Sequence, residues 1–425
     1  MKSPIQVFEH QVLRIGEQGF TDAHFDALVL FNQRHADEFF VVRHNSLKFT
    51  SYVGVLQVGG LTIEVLPKAD RAEIGGKQKW HGALIDMLRA CGHLRLAAES
   101  SADLRLRRAS LFDLYMEVFL ADVEGLLHQG LVKKYRQIAG NVTALKGRLV
   151  FSRDIAENLV HRERFFTAHQ HYDRNNPFNR ILRRAVRIVA ATTRVDALRR
   201  RAGTLLTWME GIDDTAVTEQ TFQRLAFDRN TERYRPAVSL ARLIILNYQP
   251  DVRQGGHDVL AILFDMNELF ETYVLRQLKR TAGMSEGRVE VEGQRKRPFW
   301  ARAGATPRHI RPDILVTLRS PDGTRETVVL DTKWKLPTAA HPDDADLKQM
   351  YAYNRQFGAT RSFLIYPHVS GRCDVRGQFA APTHEPGASH SCGMWFVDLF
   401  EGDTLTRKVG SQLLERLEVS PAKTA

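Results

Sequence analysis

The 425-residue sequence predicts an α+β, multidomain chain: a β-rich and helical N-terminal region, then a C-terminal α/β domain with a mixed sheet. Three observations support this. The length exceeds what one ordinary hydrophobic core supports, so two or three domains are expected. Apolar residues at 43% and charged residues at 26% are the proportions of a globular chain. The apolar spacing also changes along the chain. It is mostly strand-like over 1–75, mostly helical with one basic hairpin over 76–254, and mixed over 255–425.

In order, Phe20–Asn32 reads as a helix with Thr21 as N-cap. Strands follow at Phe39–Arg43, Ser46–Thr50, Val53–Val58 and Leu61–Leu66. The Gly59-Gly60 pair signals a hairpin between the last two, Gly54 is grouped with it, and Pro67 ends the run. Trp80–Arg89 and Leu111–Leu127 carry apolar residues three and four apart, as helices do. Residues 131–155 read as a long basic β-hairpin or arm. Pro177–Leu205 reads as one strongly basic helix with Asn176 near its cap, Val238–Tyr248 as another helix, and Gly255-Gly256 as a domain boundary. Beyond it, Phe264–Lys279 is helical, with an apolar stripe of Phe270, Tyr273, Val274 and Leu278. Val289–Glu292, Ile310–Val316, Thr327–Lys333, Phe363–Tyr366 and Met394–Asp398 read as strands. Ser320-Pro-Asp-Gly323 is a turn. Leu347–Phe357 is a helix after an acidic loop of Asp343, Asp344 and Asp346.

The formal net charge of +11 favours a polyanionic partner, nucleic acid ahead of membrane. No run of eighteen apolar residues would span a bilayer, and the first residues lack a signal peptide's apolar segment. Three cysteines (Cys91, Cys373, Cys392) form no disulfide framework, so a reducing, cytoplasmic location is expected. Cys373, His384, His390 and Cys392 fit no pair-plus-pair zinc spacing, and a loop is the preferred reading. No Gly-x-x-x-x-Gly-Lys-Ser/Thr loop occurs. Any nucleotide hydrolysis must come from another chain.

Two strings carry chemistry: Ile310-Arg-Pro-Asp-Ile-Leu-Val316 and Val328-Val-Leu-Asp-Thr-Lys-Trp-Lys335. A hairpin between them brings Asp313 near Asp331. Asp331 and Lys333 are two apart and share a strand face, with Thr332 on the other. Carboxylate oxygens suit Mg²⁺ or Mn²⁺, so Asp313 and Asp331 are candidate metal ligands, joined by the Thr332 carbonyl and by Glu271 or Glu268 from the helix. Lys333 would position or deprotonate an attacking water, or neutralise developing charge. Gln349 and Tyr353, one helical turn apart, would orient substrate or Lys333. A Pro-Asp pair or an Asp-x-Lys triplet alone is commonly surface decoration. Here both lie in apolar strand patterns, a turn separates them, and a Gln-x-x-x-Tyr helix follows.

The helix–strand–strand–strand–helix–strand order resembles the core of restriction-endonuclease-like, PD-(D/E)xK nucleases. With Tyr52–Lys68, Leu145–Leu149, Asp173–Leu182 and Gln349–Tyr353, the chain resembles the McrC family over about residues 40–400. McrC is the nuclease subunit of McrBC-type (Type IV) modification-dependent restriction systems. The resemblance implies a DNA endonuclease using Mg²⁺ or Mn²⁺, with the triad at Asp313, Asp331 and Lys333. It also implies double-stranded, modified DNA as substrate. A hexameric McrB-like AAA+ motor would hydrolyse the GTP, and the N-terminal part of this chain would engage and stimulate it.

Arg295, Lys296, Arg297, Arg308 and Arg311, interleaved with Phe299 and Trp300, are candidates for gripping DNA phosphates, with Lys335 on the same surface. Lys133, Lys134, Arg136, Lys146 and Arg148 are candidates for a motor-stimulating arm; solvated charges on a hairpin are the plainer alternative. Two rivals remain. One is a stand-alone RecB- or Cas4-like repair nuclease, against which the N-terminal 250 residues and the lack of a four-cysteine cluster argue. The other is a non-catalytic activator of an AAA+ motor, against which the intact triad argues.

Overall fold

The computed structural model describes residues 4–68, 76–94, 110–250, 257–335, 337, 341–369, 371–381 and 389–418. The Gly255-Gly256 pair and the junction expected near residue 75 lie outside the described residues.

The N-terminal part is organised by a five-stranded sheet in the order Ile5–Phe8, Leu61–Leu66, Tyr52–Val58, Val259–Asp265, Tyr248–Gln249. Period-two alternation sends Leu56, Val58, Ile63 and Val65 to one face and Val53, Val55, Leu66, Leu260 and Ile262 to the other. Both faces are covered, which is why these strands read as almost unbroken apolar runs. The first face packs on the helix Asp22–Arg34 and a small sheet of Val12–Arg14, Ser46–Phe49 and Phe40–Arg43. Thr21 caps that helix as expected, and His24 completes the capping box. The second face packs on helices Lys77–Ala90 and Leu111–His128.

Three expectations are corrected. First, the strand Val259–Asp265 pairs residue for residue with Tyr52–Val58, so the boundary drawn at 254/255 does not separate two bodies. The N-terminal sheet recruits a strand from beyond the helical region, and the C-terminal unit starts at the helix Met266–Ala282, capped by Asp265. Second, the single helix over 177–205 is two, Pro177–Thr192 and Asp196–Trp208. Thr193 is extended, and its hydroxyl accepts the Val195 N–H, a local bond that competes with the helix. Third, the 131–155 arm is no simple hairpin. Lys134–Val142 pairs with Phe165–Asp173, Arg148–Leu149 pairs on the far side of that strand, and Phe151–Asn158 is a helix. Asp154 Oδ1 fastens this helix by accepting from Phe166 N at 2.7 Å and Asn158 Nδ2 at 2.9 Å.

Gly54 is not a turn residue. It lies inside its strand at φ +136, where a Cβ would fall 2.1 Å from the Ile262 carbonyl oxygen. Gly54→Ala therefore combines a strained backbone with a clash against an immovable partner strand. It is expected to cost about 3 kcal/mol or more, measured as a fall in denaturant midpoint. An unchanged midpoint would refute the close approach.

The C-terminal unit holds a six-stranded mixed sheet, ordered Val289–Gly293, Ile314–Arg319, Arg325–Thr332, Arg361–Pro367, Ser391–Val397, Val375–Gln378. The first three strands are antiparallel; Arg361–Pro367 runs parallel to both its neighbours. Helices Met266–Ala282 and Val409–Glu418 cover one face through Phe270, Val274, Leu278 and Leu413. Helix Asp344–Phe357 covers the other through Met350, Tyr353 and Phe357. The core under the first face is continuous with that of the N-terminal helices, from Leu84 through Phe270 to Trp395. Among the described residues, no helix is long and apolar enough to cross a membrane.

Candidate active site

The strand Ile314–Arg319 pairs with Arg325–Thr332 so that Ile314 faces Leu330, which puts Asp313, one residue earlier, beside Asp331. Asp313 Oδ2 accepts from the Thr332 N–H at 2.8 Å and the Thr332 hydroxyl at 2.9 Å. Thr332 was expected on the opposite strand face. Its hydroxyl reaches Asp313 because that carboxylate sits just outside its own strand, at the open end of the sheet. Asp331 is only 2% exposed. Lys333 follows the last strand residue and keeps the ladder, its N–H donating to the Ile365 carbonyl at 2.9 Å. Its Nζ lies 2.8 Å from Asp331 Oδ2 and 3.2 Å from Asp346 Oδ1.

The helix Asp344–Phe357 completes the cluster. Lys333 Nζ donates to Gln349 Oε1 at 3.2 Å, Gln349 Nε2 donates to the Tyr353 hydroxyl at 2.7 Å, and that hydroxyl donates to the Arg311 carbonyl at 2.9 Å. Asp346, Gln349 and Tyr353 are three and four residues apart, so one helix face presents all three. Glu271 approaches from the other helix, where its Oε1 accepts from Gln294 Nε2 at 2.8 Å. Gln294 N donates in turn to the Asp313 carbonyl at 2.9 Å.

Electrostatics set these carboxylates apart. Burial, then repulsion from Asp313, pushes Asp331 well above the ordinary carboxylate range, despite Lys333. Burial raises Asp313 as well, against the Thr332 hydrogen bonds, and burial followed by Asp313 raises Glu271. Burial works against the charge on Lys333, but Asp331 and Asp346 outweigh it and hold its pKa above the ordinary value. The site is thus short of positive charge: adjacent buried carboxylates resist ionisation and one ammonium is divided between two of them. Oxygen donors in that condition suit a hard divalent cation. Among the described residues, however, no three carboxylate, His or Cys groups converge as a ready-made ligand set. Two carboxylates fit Mg²⁺, which keeps several waters and takes few protein ligands. Glu271, expected as a further ligand, is engaged by Gln294 and is not gathered into such a set. Glu268, its expected alternative, lies in the first turn of the same helix.

Four residues that matter here escaped sequence reasoning. Asp346 was legible only as part of an acidic loop, yet it is buried against Lys333 and Lys335. Gln294 ties Glu271 to Asp313. Trp334 is buried between Trp80 and Phe270, with ring centroids 6.2 and 5.2 Å away, and its Nε1 donates to Glu9 Oε1 at 2.7 Å. Glu9 also accepts the Lys68 N–H at 2.8 Å. Only the helical spacing of Asp346 with Gln349 offered a signal; Glu9 lies on the far side of the chain in sequence.

The basic residues divide. Lys296 and Arg308 are exposed, and Arg295 pairs with Glu292 at 3.2 Å. Arg297 donates to the Gln356 carbonyl and lies over the Phe357 ring, so it anchors its segment. Arg311 reaches Gln294 Oε1 at 3.5 Å. Lys335 is compensated by Asp343 and Asp346 at 2.8 and 2.9 Å. Far from this site, Lys134 pairs with Asp228 at 3.2 Å, Lys133 sits 6.0 Å from the Tyr172 ring centroid, and Arg136 pairs with Asp173 at 2.8 Å. Lys146 and Arg148 are exposed on the arm. Of the considered zinc group, His384 lies outside the described residues. Cys373 is exposed, Cys392 is buried, and His390 packs between Tyr351 and Phe379.

A mixed sheet carrying a partly buried Asp–Asp–Lys cluster at its strand ends, joined to a β-rich and helical N-terminal half, defines the class of this chain. A family model described as McrBC 5-methylcytosine restriction system component matches residues 47–367, and the chain belongs to that family. Its fold is similar, at TM-score 0.67 and 20% identity, to a chain in a tetradecameric assembly of Thermococcus gammatolerans McrB AAA+ hexamers with bound McrC. The similarity covers 98% of this chain and 100% of that one. A chain of the Thermococcus gammatolerans McrBC complex is similar at TM-score 0.50 and 23% identity, over 65% of this chain and 88% of that one. No curated protein matches.

Proposed function

We propose that this chain is a McrC-type subunit: a metal-dependent DNA endonuclease that cuts modified double-stranded DNA when coupled to a McrB-like AAA+ GTPase. The observation that carries the reading is the Asp313–Asp331–Lys333 cluster, charge-deficient and held on three sides, in a chain of this family. A Mg²⁺ or Mn²⁺ bound there supplies Lewis-acid stabilisation and a water of lowered pKa. Asp313 and Asp331 would hold it. Thr332 fixes the rotamer of Asp313, and Lys333, kept charged by Asp331 and Asp346, donates toward the scissile phosphate rather than accepting a proton. Gln349 and Tyr353 restrain Lys333, and Gln294 restrains Glu271 beside the metal carboxylates. Of the candidate basic residues, Lys296, Arg308 and Arg311 would meet DNA phosphates.

The test is cleavage of methylated and unmethylated plasmids with Mg²⁺, with and without the cognate motor and GTP, by wild type and Asp331→Ala. Motor-dependent cutting lost in the variant supports the reading. Cutting without the motor would favour a stand-alone repair nuclease, and motor activation without any cutting would favour an adaptor.

The arm is the proposed motor contact. Its helix Phe151–Asn158 exposes Phe151 and Ile155, continued by exposed Leu159 and Val160, beside Lys146 and Arg148. An apolar stripe of this kind with a basic flank suits a protein partner. Lys146→Ala with Arg148→Ala is expected to reduce partner GTP turnover severalfold while leaving this chain's melting temperature unchanged. Undiminished stimulation would reject these two residues.

A further inference from the structure

Between the strand Val289–Gly293 and Asp313 the chain makes a small two-stranded hairpin, Arg297–Trp300 with Arg308–Ile310, separate from the main sheet. Both its roots are bolted to the candidate site. At one root, Gln294 donates to the Asp313 carbonyl and to Glu271. At the other, the Arg311 carbonyl receives the Tyr353 hydroxyl. Arg297 pins the first strand to Gln356 and Phe357. The far end is different in kind. Pro298 faces His309 and Trp300 faces Arg308, leaving Phe299 as an extra, bulged residue. A bulge breaks strict alternation and re-aims side chains. Phe299 and Trp300, sequence neighbours of which one would normally be covered, are 54% and 59% exposed. Exposed Arg302 and Arg308 flank them.

Two exposed aromatic rings on a hairpin anchored at both roots beside the candidate carboxylates, with exposed Arg302 and Arg308 near them, match the chemistry of a nucleobase stack with its phosphates. We infer that Phe299 and Trp300 insert into the substrate duplex and stack on its bases, so that the chain cuts beside a step it has itself unstacked. This deepens the nuclease reading and rests on it. Aromatic wedges of this kind offset unstacking with new stacking. Trp300 pairs with Arg308, five residues before Asp313, so extended chain bounds their separation at about 17 Å, roughly five base pairs at 3.4 Å each. The opened step should therefore lie within about five pairs of the cut.

The test uses the full complex with motor and GTP on a modified duplex tiled with 2-aminopurine. Asp331→Asn holds the DNA uncut. A fluorescence rise near the mapped cut, lost in Phe299→Ala/Trp300→Ala, is the expected result. The double variant should cut the paired duplex about ten- to hundredfold more slowly. It should regain near-wild-type rates on a duplex carrying a three-base mismatch bubble at that step, and Trp300→Phe should keep most activity throughout. Equal loss on both duplexes, or no fluorescence change with Asp331→Asn, overturns the inference. So does impaired assembly of the double variant with the motor, which would mean the rings face protein. The nuclease reading fails separately, if the Asp331→Asn complex itself cuts DNA.

Discussion

Asp331→Asn is expected to reduce cleavage by at least about 10³-fold while leaving the fold intact and motor stimulation unchanged. Removing one preorganised electrostatic group typically costs about 10²–10³ in rate, and this group is also a proposed metal ligand. The fold survives because burial and Asp313 already oppose ionisation of Asp331, and Lys333 keeps Asp346. The sign of the pH dependence follows. A carboxyl whose folded pKa is raised contributes stability in its protonated form, present at low pH and lost as pH rises through the folded value. Without metal, the wild type should lose stability toward pH 8 and Asp331→Asn should lose less. Bound metal needs the deprotonated carboxylates, so at limiting Mg²⁺ cleavage should fall as pH drops below neutrality. Mg²⁺ should raise the wild-type melting temperature at pH 8 and leave that of Asp331→Asn almost unmoved. An equal Mg²⁺ shift in both proteins would remove Asp331 from the metal site.

Trp334→Ala is expected to be the most destabilising single change near the site. Truncating a buried aromatic costs about 3–5 kcal/mol. Here it also strips Glu9 Oε1 of its indole donor, leaving it the Lys68 N–H, and the lost hydrogen bond adds about 1 kcal/mol. Since Trp334 adjoins Lys333 and packs on Phe270, next to Glu271, the cavity opens between both halves of the candidate site. Glu9 allows a cleaner measurement. Burial pushes its carboxyl from 4.5 to about 7, against the hydrogen bonds from Trp334 and Lys68. Its stabilising contribution is therefore complete below pH 4.5 and lost as pH rises through 7. At about 1.4 kcal/mol per tenfold in proton affinity, the ionised form costs on the order of 3 kcal/mol. Glu9→Gln keeps both acceptor contacts without the charge. It should raise the denaturant midpoint at pH 8 and change it little at pH 4.5. A midpoint change of the same size at both pH values would show that folding does not raise the Glu9 carboxyl.

The Asp313, Asp331 and Lys333 cluster was readable because its geometry is local. One turn, one antiparallel register and a two-residue spacing put all three groups at one sheet end, and the Gln349–Tyr353 pair follows from helical period alone. The McrBC family was readable for a similar reason, in strings such as Ile63–Lys68 and Asp331–Lys335. Helix caps at Thr21 and Asn176 likewise obey chemistry within three residues.

What remained hidden depends on pairings that no local pattern encodes. Val259–Asp265 looks like any buried strand, and its place beside Tyr52–Val58 is decided by which sheet edge is free after two hundred intervening residues fold. The arm's Lys134–Val142 has alternation enough for a hairpin. It pairs instead with Phe165–Asp173, beyond a helix that Asp154 ties to Phe166. Glu9 meets Trp334 across almost the whole sequence, and Asp346 turns from a surface acid into the second anchor of Lys333. Periodicity and spacing record which face a residue takes within its own element. Which other face it meets is a matter of burying the most apolar surface with every polar group paired, and only the assembled chain resolves that.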